Sequence, residues 1–160
     1  MMEYKIIKTD KIKIVGLSAT ASFLNTHQIT GQLARQFMPR IGEVKHRKDN
    51  FKLSLQKYSN FNISEFNPNQ TFQKWIGVEV DSLQSISEHM EALTIDAGKY
   101  LVINFEGTVE AFVSFWQDIH FNWLPNSGFE LDNRPHFERL GTDYNPNQAV
   151  NKEEIWIPVK

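Results

Sequence analysis

Cysteine is absent from the 160-residue chain. That excludes a disulfide scaffold, a thiolate zinc site and a cysteine nucleophile at once. Long apolar runs are missing as well. No window approaches the roughly 18 residues that a membrane span needs, and Met1-Met2-Glu3-Tyr4-Lys5 lacks the apolar stretch of a secretory signal. A cytoplasmic protein without membrane association is expected. A Gly-x-Ser-x-Gly elbow, a phosphate-cradling loop and a dinucleotide fingerprint are also missing, which argues against the common hydrolase, NTPase and dehydrogenase mechanisms. No cofactor is expected. The histidines are His27, His46, His89, His120 and His136, and they form neither a His-x-His nor a His-Glu-x-x-His pattern. His136-Phe137-Glu138 lacks the cysteine pair of a zinc deaminase, so no metal is expected either.

What is present suffices for a core: 41% of residues are hydrophobic and 22% charged, within the range of folded domains. The formal charge of −2 hides an asymmetry. Residues 1–60 hold 11 Lys and Arg against 4 Asp and Glu, a balance of +7, and the remainder carries −9. A basic half can signal nucleic acid. Here the basic stretch Lys45-His46-Arg47-Lys48, with Lys52 and Lys57, falls in a loop and an early strand. The elements described next use up the chain and leave no helix-turn-helix, so a solvated loop is expected and no direct DNA binding.

An internal echo organises the sequence. Phe66-Asn67-Pro68-Asn69-Gln70 returns as Tyr144-Asn145-Pro146-Asn147-Gln148, and Trp75-Ile76-Gly77-Val78 returns as Trp156-Ile157-Pro158-Val159. Asn-Pro initiates turns, and the Trp-Ile-x-Val segments are β-prone. One domain with pseudo-repeats of about 1–81 and 82–160 is expected. In the first half, 11–23 alternates as a strand, 26–38 carries apolar residues at helical spacing up to Pro39, and 53–59 and 71–81 are strands. In the second, 99–105 is a strand, and Thr108 caps a helix with a stripe of Val109, Phe112, Val113, Trp116 and Ile119. Strands follow at 135–140 and 153–159, with a short extra one at 91–95. Two β-α-β-β units predict an α+β fold: one curved antiparallel sheet with two helices on one face. The other face is expected to be uncovered. With 12 Phe, 4 Trp and 4 Tyr in the chain, that face is expected to form an aromatic ligand groove.

Several segments resemble one known family. Gly98-Lys99-Tyr100-Leu101-Val102-Ile103-Asn104-Phe105-Glu106-Gly107 is similar to its glycine-tyrosine-strand-glycine segment, and Trp123-Leu124-Pro125-Asn126-Ser127-Gly128 to its turn after the second helix. Pro135-His136-Phe137-Glu138 resembles its central strand, and Glu154 to Lys160 its closing strand. These are features of the GyrI-like family, the effector-binding domain at the C-terminus of Rob-type AraC and BmrR-type regulators. The resemblance covers essentially the whole chain. It implies a stand-alone relative of transcription regulators, with a groove between two β-α-β-β halves that takes lipophilic, often cationic, small molecules. It also places a groove glutamate at Glu138. The family's tyrosine two residues further on is replaced here by Leu140.

Glu138 is therefore the expected ligand-binding charge, and Trp75, Trp123, Trp156 and Tyr58 are the candidate aromatic and hydroxyl contacts. Tyr58 is expected to mirror Glu138 in the first half, and Trp116 to belong to the core. A carboxylate among aromatic rings is partly desolvated, and a ligand cation is held there by charge and by ring faces together. Two rivals stay open, since some relatives hydrolyse electrophilic compounds and others are gyrase inhibitors. In the first, Glu138 is the general acid or base and Tyr58 the proton donor. In the second, the partner is a protein.

Overall fold

In the computed structural model, which describes residues 2–160, the order is β1 (Lys5–Thr9), β2 (Ile12–Ser22), α1 (Thr26–Phe37), β3 (Lys52–Lys57), β4 (Thr71–Val80), β5 (Glu91–Ile95), β6 (Gly98–Gly107), α2 (Val109–Asp118), β7 (His136–Leu140) and β8 (Asn151–Val159). Local chemistry accounts for the boundaries. Thr108 caps α2, its side chain accepting from the Ala111 N–H at 3.0 Å. Regular α1 stops at Phe37, and a 3₁₀ turn with Pro39 near its start follows. The echoed Asn-Pro-Asn-Gln segments build matching turns ahead of β4 and β8. In each, the asparagine side chain accepts from the N–H two residues on (Asn69 to Asn67, 3.0 Å; Asn147 to Asn145, 2.9 Å).

All eight strands form one antiparallel sheet in the order β1-β6-β8-β7-β3-β4-β2-β5. The two halves, β2-α1-β3-β4 and β6-α2-β7-β8, meet where β3 pairs with β7. Each half is completed by the leading strand of the other: β1 pairs with β6, and β5 with β2. β1 has no counterpart among the strands expected from sequence. Its apolar content is the pair Ile6 and Ile7, of which Ile6 faces solvent. The two-residue connections Asp10-Lys11 and Asp96-Ala97 join strands from opposite ends of the sheet. So short a link spans roughly 10 Å at most, so the sheet has to curl until its ends nearly meet.

Curling decides what the two faces hold. On the inner face, Ile12, Ile14, Leu53, Leu55, Trp75, Ile95, Tyr100, Val102, Phe137 and Trp156 pack into one cluster drawn from seven of the eight strands. Gly16 and Gly77 lie opposite one another. A Cβ on Gly16 would sit 2.2 Å from the Ile76 carbonyl oxygen, so only glycine lets β2 and β4 approach this closely. The expectation of an open aromatic groove on the face without helices is thus overturned, because the curled sheet fills that face with its own side chains. The helices cover the outer face. α1 presents Leu33 and Phe37 to Val15, Ile76, Val78 and Val80. α2 and the turn after it present Phe112, Phe115, Ile119 and Leu124 to Leu101, Ile103, Ile155, Ile157 and Val159. The α2 stripe is therefore rotated from the expected one, with Val109 and Val113 exposed. No helix among the described residues is long and apolar enough to cross a membrane.

Candidate functional site

Strands β3 and β7 alternate strictly. Leu53, Leu55 and Phe137 go to the inner core, so Ser54, Gln56, His136 and Glu138 point outward along the line between the two helices. Lys74 of β4 joins them, in register with Gln56, and His120, just past α2, closes the group. Among the described residues these six are all of the buried polar or charged side chains. The outer face thus has an apolar patch under each helix and a buried polar band between the patches.

The band is incompletely paired. Gln56 Nε2 donates to Glu138 Oε1 at 3.2 Å, and Lys74 Nζ donates to Ser54 Oγ at 2.6 Å. Lys74 and Glu138 feel each other's charge but form no ion pair within 4 Å among the described residues. Burial raises the Glu138 carboxyl above the usual carboxylate range, opposed by Lys74 and by the Gln56 hydrogen bond. Burial pulls the Lys74 ammonium down to about 8, against the attraction of Glu138 and Glu153. Half-buried Glu153 is pushed up to about 8, by burial first and by the negative charge of Glu138 second, with Lys74 opposing. Tyr58 and Tyr144 are raised by the same two causes, burial and neighbouring carboxylates.

Aromatic rings stand along one end of this band. Tyr58 stacks on Phe61 (4.6 Å between centroids) and Phe23 (5.7 Å), and meets His136 edge-on at 5.0 Å. Trp116 of α2 stacks on His120 at 4.1 Å and tilts against Phe23 at 5.6 Å. Phe61 and Phe66, both half-buried, come from the connection between β3 and β4 and lie against Trp116 of α2. At the band's other end, Tyr144 is the echo of Phe66 and lies within the charge field of Glu153 and Glu138.

The structure places the sequence candidates in three locations. Glu138 and Tyr58 lie together on the outer face. Trp75 and Trp156 are in the inner core, each 7% exposed. Trp123 packs against Tyr4 and Phe129 beside the α2 patch. The register also changes one assignment. Leu55 lies opposite Trp75 as Phe137 lies opposite Trp156, so Gln56 is the first-half counterpart of Glu138, and Tyr58 is the counterpart of Leu140. Lys74, Gln56 and His120 were missed. Their signals were a lysine in phase with Phe72 and Ile76 on a core strand, and a Trp116/His120 pair at i, i+4. Trp116, expected in the core, lies in the aromatic group beside the band, half-buried.

The inner face opens at one end into a cleft of about 510 Å³ beside Phe51, Asn104, Arg139 and Glu154. Arg139 is fully engaged there: it pairs with Glu154 (3.1 Å) and Asp49 (3.3 Å) and lies 3.9 Å over the Phe51 ring.

Comparison with known proteins places this architecture. No curated protein matches the chain. Among solved structures, a candidate transcription regulation protein of Staphylococcus aureus MU50 is 20% identical, covering 100% of this chain and 99% of that one, with a TM-score of 0.73. The protein SAV2435, bound to tetraphenylphosphonium, is 21% identical over 99% of this chain and 94% of its own, with a TM-score of 0.75. A hydrolase of Listeria innocua is 10% identical over 99% and 92%, with a TM-score of 0.53. At such identities the likeness shows a common fold. The family model for the GyrI-like small molecule binding domain matches residues 2–160. The match spans both halves of the curled sheet, and the chain belongs to the GyrI-like small-molecule-binding domains.

Proposed function

We propose that the chain binds lipophilic aromatic molecules, cationic ones included, along the band between α1 and α2, in the manner of an effector-binding domain. The carrying observation is that the buried polar and charged side chains converge on this one line, with Glu138 in it and in no ion pair within 4 Å among the described residues. Tyr58, Phe61, Phe66 and Trp116 supply ring faces for stacking. A bound cation gains twice, from the Glu138 charge and from the rings. Binding of tetraphenylphosphonium by the neighbour SAV2435 supports this ligand class.

Titration with tetraphenylphosphonium and with neutral triphenylphosphine oxide tests the reading. Glu138→Gln is expected to weaken the cation by about tenfold or more, roughly the 1.4 kcal/mol of one buried charge contact, and to leave the neutral compound nearly unchanged. Equal losses for both would sink the electrostatic role. The same titration on the native protein is expected to tighten for the cation as pH rises through about 8, where Lys74 sheds its proton and stops competing for Glu138, whose carboxyl is raised by burial. A second reading, hydrolysis of an electrophilic ligand, is favoured by the raised Glu138 carboxyl beside Tyr58. Mass spectrometry of ligand after long incubation with excess protein separates the two, since binding alone returns the ligand intact.

A further inference from the structure

His120 has no part in the reading above, yet it is the most enclosed polar side chain of the band, with 0% of its surface exposed. It follows α2 directly, in a widened turn of Ile119–Trp123 where the Leu124 N–H reaches back five residues to the Ile119 carbonyl. Such π-type turns recur at functional sites. The ring lies on Trp116 and faces Phe61 edge-on at 5.9 Å and His136 at 6.1 Å.

The hydrogen bond at Nδ1 settles the tautomer. Nδ1 is 2.8 Å from the Trp116 carbonyl oxygen. A carbonyl oxygen only accepts, so Nδ1 carries the proton. Nε2 is then a bare lone pair, because burial pulls the imidazole down to about 4 and keeps it neutral near pH 7. That lone pair is buried, and no donor among the described residues reaches it. An unmet buried acceptor costs free energy, because the group gives up its water and gains no partner in exchange. His136, Tyr58 and Phe61 surround the same space, and His136 lies two residues from Glu138 on the same face of β7.

Resting on the groove reading, we infer that His120 Nε2 is the hydrogen-bond acceptor of the site, so that it selects aromatic ligands carrying a hydroxyl or N–H. A ring entering beside Trp116 in place of Phe61 directs such a donor at the lone pair and relieves its cost. A ligand of the same shape without a donor leaves the cost in place. This selection differs in kind from that by Glu138, which reads charge.

The test compares 2-naphthol with 2-methoxynaphthalene, which share rings and neutrality and differ in the donor. The full chain is expected to bind 2-naphthol at least about tenfold more tightly. His120→Phe, which keeps the stacked ring and removes both nitrogens, is expected to bring the ratio near one and to raise the melting temperature of the ligand-free protein. His120→Leu serves the same purpose if the phenylalanine variant does not fold. In ¹⁵N spectra of the imidazole, the Nε2 signal is expected to move with 2-naphthol and stay with the ether. Equal affinities in the native protein overturn the inference alone, as does a preference that survives in the variant. An Nε2 signal already hydrogen-bonded without ligand, as to a buried water, also overturns it. If neither naphthalene binds, the groove reading falls and takes this inference with it.

Discussion

The two faces of the sheet are made by the same strands, residue by residue in alternation, yet they solve different problems. Inward from β3, β4, β7 and β8 go Leu55, Trp75, Phe137 and Trp156, all buried in one apolar cluster. Outward from the neighbouring positions go Gln56, Lys74 and Glu138, equally buried and differing in polarity. Burial of apolar surface stabilises at about 25 cal/mol per Å², whereas a buried charge without a full partner costs free energy. The inner face holds the domain together. The outer midline draws on that stability to keep charged and polar groups dry, where they interact most strongly with anything that enters.

Substitutions on either side sharpen this contrast. The largest effect is expected from Phe137→Ala, which removes a ring stacked on Trp156 at 5.2 Å and packed against Tyr100. Denaturant unfolding should show a loss of about 3–5 kcal/mol. A loss below about 1 kcal/mol would mean that the inner cluster does not carry the fold. One position across, Lys74→Met keeps the length of the side chain and removes its charge from beside Glu138. Calorimetric titration is expected to show tetraphenylphosphonium bound about tenfold more tightly, near 1.4 kcal/mol, with neutral aromatics unaffected. Unchanged cation affinity would show that Lys74 does not compete for the carboxylate.

A smaller effect lies in the pH dependence of stability. Glu153 rises from an ordinary carboxylate value to about 8 in the fold, so the folded state holds a proton that the unfolded state gives up between about 4.5 and 8. Stability from this group is present at low pH and is lost as pH rises through that window. Glu153→Gln should therefore gain melting temperature relative to the native protein at pH 8 and gain least at pH 5. The opposite trend would place the charged form of Glu153 in a favourable setting.

How far the sequence carries this picture depends on the kind of signal. Echoed Asn-Pro turns and Trp-Ile-x-Val strands expose the duplication because both copies obey the same turn chemistry and the same inward burial of tryptophan. Seven of the eight strands and both helices follow from periodicity. β1 escapes because an edge strand of five residues with one exposed isoleucine alternates too briefly. The face of each aromatic could not be read, since an aromatic in a strand suits an apolar core and a ligand wall equally. Only the pairing register separates Trp75 and Trp156 from Tyr58. Lys74 was hidden for a related reason, as lysine on a strand is ordinarily solvated. Its burial depends on β4 pairing with β3, which supplies Ser54 and Gln56 beside it, and on β7 beyond β3, which is distant in sequence. The family motif singles out Glu138, and its burial comes from packing, which no motif prints.

The exchange of leading strands also orders events in time. β1 leaves the ribosome first, but its partner β6 (Gly98–Gly107) follows only after β2 to β5 have been made. Likewise β2 gains its outer neighbour only when β5 returns to it. Ladders joining such remote segments form slowly, because closing a long loop precedes any gain from the pairing. A nascent first half therefore shows two unpaired strand edges and an unclosed apolar inner face. The β1–β6, β2–β5 and β3–β7 ladders close only once the second half has been made.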